Sequence, residues 1–459
     1  MPRNSGRTTS TLALALALKL LAVPVSPSGP AFDEEPVKKV CKVAKTLTDI
    51  EGVALAKIQS LINQVSAANE AAAKANLAAA AATDSNTSTL YAAAGARASR
   101  CSTDAATALA TLAPIALNAA TNGAKTSGHI SEVIDILRQA GKGRSTSKCI
   151  VQKGDSTATL ASTVTAYGCP AEILEPPEPR ATVDASVMDN KGFKTLSAKT
   201  DLHSGNAQQT CIFLVGANDN AAKLWKANGG PGSAVNIAQG FITIKPHDTA
   251  ASATAQTPAL NALGNSWATP EATTAAAKLY NKIGQLEKHM HNSSGETADE
   301  VLDSILATEN LKAALLAVIN KPKGAPAKPT EDEIATALIN SVEPAATTQS
   351  QKLKDKILNT LVPKLTEGSR SQVKLSTLEY PGEIQTSTLA AIQELKNGCN
   401  LWSALKAASN QSPPTRHRRN IVTQLETLTK TSVTRKNNSS YDDSEDSSKK
   451  CNLMRKKRR

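Results

Sequence analysis

A proline-free, alanine-rich stretch, residues 41–82, constrains the fold more than any other feature of this sequence. Apolar or small residues recur along it at alternating spacings of three and four, which is the seam of a coiled coil. They are Val43, Leu47, Ile50, Ala54, Ile58, Leu61, Val65 and Ala68. The spacing therefore predicts one long helix over this stretch.

A second helical stretch is predicted over residues 90–140, with a kink expected at Pro114. The run of turn and cap formers at residues 83–89 separates it from the first. Two long helices joined by so short a turn must lie antiparallel. The chain has only four Phe, five Tyr and three Trp, which favours closely packed helices with a thin core over an aromatic-rich globular enzyme. We therefore expect a mainly α protein built on a long antiparallel helical hairpin that resembles a coiled coil.

The amino-acid composition changes over residues 141–270, where Gly, Pro, Asn and Asp become frequent. Three of the seven cysteines also lie there. Short β-branched segments at residues 211–215 and 241–244 indicate a few short strands. This part is expected to be a disulfide-stapled, loop-rich lobe. Helices return afterwards, with capping boxes predicted at Thr297–Glu300 and Thr330–Glu333 and a further helix over residues 388–409.

Residues 1–31 are typical of a secretory signal peptide. Arg3 and Arg7 precede an apolar run, and Ala31 is the small residue before an expected cut at Phe32. The charged, serine-rich residues 411–459 are expected to be a linker followed by a truncated or atypical C-terminal segment. The body of the protein would then be residues 32–410.

Secretion gives meaning to the cysteines and to the Asn-x-Ser/Thr triplets. Most cysteines of a secreted chain are paired, and seven leave one over. Four cysteines allow three pairings, and the residues alone do not choose among them. The candidate N-glycosylation sites are Asn86, Asn292, Asn410, Asn437 and Asn438.

The net charge of +12 lies mostly at the two ends of the chain, so residues 32–415 carry only +1. A nucleic-acid-binding protein needs a basic face on its folded body, and this class is therefore disfavoured. Cysteines at zinc-ligand spacing are lacking. His289 and His291 alternate, so on a helix they face apart, and no carboxylate pattern accompanies them. We expect neither an enzyme nor a metal, cofactor or nucleic-acid site.

The order of these features resembles the A-type N-terminal domain of trypanosome variant surface glycoproteins. The resemblance rests on the signal peptide, the hairpin, the returning helices, Cys41 near the mature start, and the segments around Cys149, Cys169 and Cys211. It covers roughly residues 32–410. It implies the disulfides Cys41–Cys169 and Cys149–Cys211. Cys101 and Cys399, on the apolar faces of their helices, would either form a third disulfide or remain buried free thiols.

The resemblance also implies a function that needs no active site. Such a protein is a homodimeric surface coat glycoprotein that packs beside neighbouring coat proteins, faces host antibodies and mediates antigenic variation and immune evasion. The alternative is a related surface receptor for a host macromolecule, of the transferrin-receptor or haptoglobin-haemoglobin-receptor kind. The family is held on the outer plasma membrane by a glycosylphosphatidylinositol (GPI) anchor. Here the last residues are polar and basic instead of an apolar anchor signal, so secretion or retention is expected if the C-terminus is truncated.

Overall fold

The computed structural model describes residues 31–409 with gaps. The described ranges are 31–140, 148–152, 161–171, 177–197, 200–201, 211–217, 224–226, 234–247, 253–270, 272–291, 293–317, 330–366 and 369–409. The expected signal peptide up to residue 30 and the expected C-terminal segment, residues 411–459, lie outside the described residues.

Helices dominate the described part of the chain, as the sequence predicts, and the mainly α fold class is confirmed. In chain order they are α1 Glu34–Thr48, α2 Ile50–Ala81, α3 Ser85–Ala140, α4 Ala275–Lys288, α5 Ala298–Leu306, α6 Thr308–Leu316, α7 Glu331–Val342, α8 Gln349–Leu358 and α9 Gly382–Ser409.

The strands are short. They are β1 Phe32–Asp33, β2 Ile150–Val151, β3 Thr200–Asp201, β4 Gly216–Ala217, β5 Trp225–Lys226, β6 Val235–Ile237, β7 Ile242–Lys245, β8 Thr254–Thr257, β9 Leu361–Thr366 and β10 Ser369–Lys374. The largest described sheet is antiparallel in the order β3-β8-β7-β6, and β9 and β10 form a separate hairpin. β1–β2 and β4–β5 are parallel two-stranded pairs.

The described chain divides into two compact units, each assembled from two stretches of sequence. The first comprises the described residues within Met1–Gln59 and Leu109–His291, and the second those within Ser60–Ala108 and Asn292–Arg459. The two long helices α2 and α3 contribute to both units. The few strands β1 to β8 belong to the first unit, and the β9–β10 hairpin belongs to the second.

Within the second unit α2 and α3 form the predicted antiparallel hairpin. The Ser88 hydroxyl donates to the carbonyl of Ala79, and the Ser102 hydroxyl donates to that of Val65. Successive positions of α3 therefore meet earlier and earlier positions of α2. The buried residues of these two stretches are mostly alanine: Ala67, Ala68, Ala71, Ala72, Ala75, Ala78, Ala79, Ala93, Ala94 and Ala98. A small side chain at each contact lets two helix backbones approach closely.

The remaining core of the second unit comes from the returning helices and the β9–β10 hairpin. Buried residues Val301, Ile305, Leu311, Ile339 and Ile357 join the alanine core. Both predicted capping boxes are confirmed: the Thr297 and Thr330 side chains each accept from the backbone N–H three residues on, and the glutamate there returns the bond.

Several predicted boundaries were wrong in detail. The first long helix is interrupted at Asp49, between α1 and α2. The helix α3 begins at Ser85, because the Asp84 carboxylate accepts from the backbone N–H of Thr87 at 2.7 Å. The segment after Cys211 is a single 3₁₀ turn over Ile212–Leu214, not a strand. The predicted strand near residue 241 is present as β7.

Candidate functional site

Two disulfides staple the loop-rich lobe of the first unit. Cys41, on α1, is bonded to Cys169 with Cα atoms 4.2 Å apart. Cys149 is bonded to Cys211 with Cα atoms 4.3 Å apart. This is the pairing that the resemblance implies. One bond attaches the lobe to a helix, and the other joins two segments within the lobe, so covalent links hold chain segments that make little regular secondary structure.

The start of the described chain is paired directly into this lobe. The Phe32 backbone N–H donates to the carbonyl of Cys149 at 2.7 Å, and Phe32 lies opposite Ile150 in the β1–β2 pair. Both side chains are buried. Phe32 is the residue expected to follow the signal-peptide cut, so the mature N-terminus would be fixed beside one of the disulfides.

A few aromatic side chains fill the interior of the lobe. Phe193 and Phe241 are fully buried and pack edge to face with ring centroids 5.1 Å apart. Tyr280 of α4 is also fully buried, stacks on Trp267 and donates its hydroxyl to the carbonyl of Asn190. The scarce aromatic residues of this chain are thus concentrated where alanine helices do not supply the core.

A turn of unusual backbone conformation joins the lobe to α3. Ala238, Gln239 and Gly240 have φ angles of 50°, 55° and 88°, in the left-handed region between β6 and β7. The Gln239 side-chain carbonyl accepts a 2.7 Å hydrogen bond from the Thr126 hydroxyl. The residue Thr126 is 2% exposed. Sequence reasoning missed this contact, since neither residue belongs to a recognisable motif.

Residues 177–183, which we call the strap, cross the start of α2. The Arg180 backbone N–H donates to the carbonyl of Gly52 at 3.1 Å, and its guanidinium lies 3.7 Å from the Asp49 carboxylate. At its end, the Val183 backbone N–H donates to the Glu287 carboxylate at 2.9 Å. The strap is therefore held at α2 by one end and at α4 by the other.

One of the five candidate glycosylation sites, Asn86, lies within the described residues. Asn86 is exposed in the first turn of α3, and its side-chain amide donates to the Ser341 hydroxyl at 3.3 Å. The other four, Asn292, Asn410, Asn437 and Asn438, lie outside the described residues.

Cys101 is a free, buried thiol. The disulfide with Cys399 that the sequence left open is therefore not formed, and the free-thiol alternative holds for Cys101. Its sulfur accepts a 3.2 Å hydrogen bond from the Ser294 hydroxyl, and it packs with the alanine core of the second unit. Cys101 thus occupies the place of a small apolar residue. The side chain of Cys399 lies outside the described residues.

The second unit also has an open polar groove of 560 Å³ between α2 and the start of α5. Its charged residues are Glu70, Lys74, Glu296 and Asp299, and Lys74 is paired with Glu70 at 2.7 Å. The lining contains neither histidine nor cysteine. Across the described ranges, no cluster of three or more His, Cys, Asp or Glu is placed to hold a metal ion.

The side chains around His289 change its ionisation. Its Nε2 atom is buried without a hydrogen-bond partner. Burial, followed by the nearby charges of Lys57 and His291, lowers the pKa of His289. Each of these effects favours the neutral form of the imidazole. Among the helices that are described, none is long and apolar enough to cross a membrane.

The hairpin, its alanine core and the stapled lobe define a class: a mainly helical protein whose disulfides suit an oxidising compartment. The trypanosome variant surface glycoprotein (A-type) family model matches residues 12–393 of the chain. The chain therefore belongs to this family, whose members are surface coat glycoproteins of trypanosomes.

The chain shares its fold with the solved structure of MITat 1.1. The structure of MITat 1.1 is 17% identical, with a TM-score of 0.59, and the match covers 81% of this chain and 98% of that one. Variant surface glycoprotein VSG13 is 13% identical, with a TM-score of 0.43, covering 80% and 99%. VSGsur, solved bound to suramin, is 12% identical, with a TM-score of 0.39, covering 77% and 95%. None of the curated proteins compared by sequence matches the chain.

Proposed function

We propose that this protein is a non-enzymatic coat protein of the trypanosome surface that mediates antigenic variation and evasion of the host immune response. The observation that carries the proposal is family membership over residues 12–393. The task it implies is physical, since a coat protein must present variable surface residues to antibodies on a conserved fold.

The packing of the second unit supports this division between fold and surface. The core of its hairpin consists of buried alanines and a few larger apolar residues, and many of the positions between them are exposed. Surface substitutions away from caps and buried contacts usually change stability by no more than about 0.5 kcal/mol. Exposed residues can therefore vary widely while the same interior maintains the fold.

We infer that residues 1–31 are removed as a signal peptide and that residues 32–410 form the coat domain. The Phe32 nitrogen donates to the carbonyl of Cys149, and the terminal ammonium left by a cut at Phe32 can donate the same bond. By the family resemblance, the domain is held on the outer face of the plasma membrane by a GPI lipid anchor; if the C-terminus is truncated, the chain is instead secreted or retained. Mass spectrometry of the mature N-terminus tests the cut, and a terminus other than Phe32 would contradict it.

We further infer that the coat protein is a homodimer that packs beside neighbouring coat proteins. Light scattering on the purified protein tests this directly. The mass of two chains supports the dimer, and a monomer that persists at concentrations well above micromolar contradicts it.

Shielding of the cell surface is the test of coat function. Living trypanosomes that carry this chain as their coat should exclude antibodies against invariant membrane proteins, whereas permeabilised cells should bind them. Equal binding to intact and permeabilised cells would contradict the proposal.

The rival receptor function is tested separately by exposing the purified protein to host serum. A coat protein retains no serum component with high affinity. Saturable retention of one host macromolecule would instead establish a receptor.

A further inference from the structure

The end of α4 is held by a lysine from another helix of the same unit. The Lys57 ammonium of α2 donates to the backbone carbonyls of Glu287, at 3.4 Å, and His289, at 3.1 Å. The last carbonyls of a helix have no partner within the helix and favour a nearby cation. Lys57 therefore stabilises the final turn of α4 and the residues that follow it.

The same turn holds the strap. The Glu287 carboxylate accepts from the backbone N–H of Val183, and Val183 is 5% exposed. The strap and the end of α4 consequently share one set of contacts, in which Lys57 fixes the backbone of the turn and Glu287 fixes the strap to it.

His289 lies at the centre of this arrangement and is poorly placed to accept a proton. Its Nε2 atom is sealed from solvent and has no hydrogen-bond partner. Two neighbours act on it electrostatically: Lys57 from α2 and His291 from the following chain. The carboxylate on the same turn, Glu287, is engaged with the strap, and the strap's own cation, Arg180, is paired with Asp49.

We propose that His289 and Lys57 form an acid-sensitive latch that holds the strap and the end of α4 closed at neutral pH and releases them in acid. A protonated imidazole places a second positive charge beside the Lys57 ammonium, in a setting with no acceptor for Nε2. Opening the turn relieves both costs, because the imidazolium and the ammonium then reach water. Movement of Glu287 towards the new charge also frees the Val183 N–H.

The direction of the pH dependence follows from linkage. A histidine binds a proton in the open form near its ordinary pKa of 6.5, whereas the closed form resists it. The closed form is therefore fully stable above about pH 6.5 and loses stability as the pH falls below that value. This latch is independent of the coat function, since it depends only on contacts within the first unit.

Hydrogen exchange measured by mass spectrometry tests the proposal on the full chain. Exchange is compared at about pH 7.5 and about pH 5, with labelling times scaled for the intrinsic rate. Peptides that cover residues 177–184 and 284–291 should exchange severalfold faster in acid in the wild type. His289→Gln should abolish this acceleration. His129→Gln, the same change at an exposed histidine of α3, should leave it intact.

Lys57→Gln provides an independent variant, because an amide still donates to the carbonyls but carries no charge. It should reduce the acid acceleration of the same peptides. The proposal is overturned if the wild type shows no acceleration there, or if His289→Gln responds to acid as the wild type does. Should circular dichroism show that His289→Gln does not fold, an unchanged acid response in Lys57→Gln overturns it.

Discussion

The carbonyl oxygen of Glu178 lies so close to Gly52 that a Cβ atom on the glycine would come within 2.1 Å of it. The contact is with backbone, which cannot move aside as a flexible side chain can. It occurs where the strap crosses the start of α2, and the Gly52 carbonyl also accepts from the Arg180 N–H. Gly52 is therefore required by the approach of the strap.

Replacing this glycine tests the close approach. Gly52→Ala should lower the free energy of unfolding by about 1–3 kcal/mol through overpacking, although alanine is favoured over glycine within a helix by about 1 kcal/mol. Urea unfolding followed by circular dichroism measures the change. Gly128→Ala is the matched control in α3, where a Cβ meets nothing within 4 Å. It should be neutral or stabilising, and a similar loss in both variants would contradict the account.

The disulfide within the lobe should contribute strongly to stability. Removing it by Cys149→Ser together with Cys211→Ser should cost about 2–5 kcal/mol, since the bond closes a long loop in the unfolded chain. The bonded residues are 62 apart in sequence. Urea unfolding of the double variant and the wild type, with and without dithiothreitol, measures the effect. Equal stability of both proteins without reductant would show that this bond does not stabilise the lobe.

Cys101 should react with a maleimide only after unfolding, and without any reductant. The native thiol is buried and accepts a hydrogen bond from the Ser294 hydroxyl, so it is protected from the maleimide. Unfolding alone exposes it, because no disulfide has to be broken. Peptide mass spectrometry after labelling in buffer, in denaturant and in denaturant with reductant distinguishes the cases. If the Cys101 peptide were labelled only in the presence of reductant, the result would show that Cys101 forms a disulfide with Cys399.

The pair of lysines beside Glu343 should make stability depend on pH. Hydrogen bonding to Lys356, with a smaller contribution from Lys352, lowers the pKa of Glu343 below its ordinary 4.5. The ionised Glu343 therefore contributes its full stabilisation of the folded state above about pH 4.5. This stabilisation is lost as the pH falls through the lowered folded-state pKa. Glu343→Gln should be less stable than the wild type at neutral pH, and the difference should shrink in acid.

A matched change at an exposed glutamate separates this effect from general acid denaturation. Glu132→Gln, on an exposed position of α3, should show a small difference from the wild type at either pH. A stability difference for Glu343→Gln that stays constant down to about pH 2 would remove the proposed role of the lysines.

Asn86 is exposed at the first turn of α3, so we expect it to carry an N-linked glycan when the chain passes through a secretory pathway. Asn86→Gln should increase electrophoretic mobility by one glycan, and Ser88→Ala should do the same because it removes the hydroxyl of the triplet. The mobility difference between each variant and the wild type should disappear after peptide-N-glycosidase treatment. Unchanged mobility of both variants would exclude this site.

Features that depend on local sequence could be predicted. The hairpin follows from the three-four spacing of residues such as Ile50, Leu61 and Ala68, and the capping boxes follow from Thr297 and Thr330. Each is decided within a few residues of chain, and packing of an amphipathic helix follows from its period.

Features that depend on contacts between distant parts of the chain could not be predicted from the sequence. The interruption at Asp49 coincides with the crossing of the strap, which lies about 130 positions further along the chain. The hydrogen bond between Thr126 and Gln239 joins a helix to a turn in the left-handed region, and neither residue type predicts this contact. The sequence places Cys101 on an apolar face, but whether it forms a disulfide depends on tertiary structure.

The most direct test of the coat assignment is surface biotinylation of living trypanosomes that express this chain as their coat, before and after treatment with phosphatidylinositol-specific phospholipase. We predict that most of the mature chain is biotinylated on intact cells and that the phospholipase releases it. A chain that remains inside the cell, enters the medium without the enzyme, or stays on the surface after treatment would contradict a lipid-anchored coat protein.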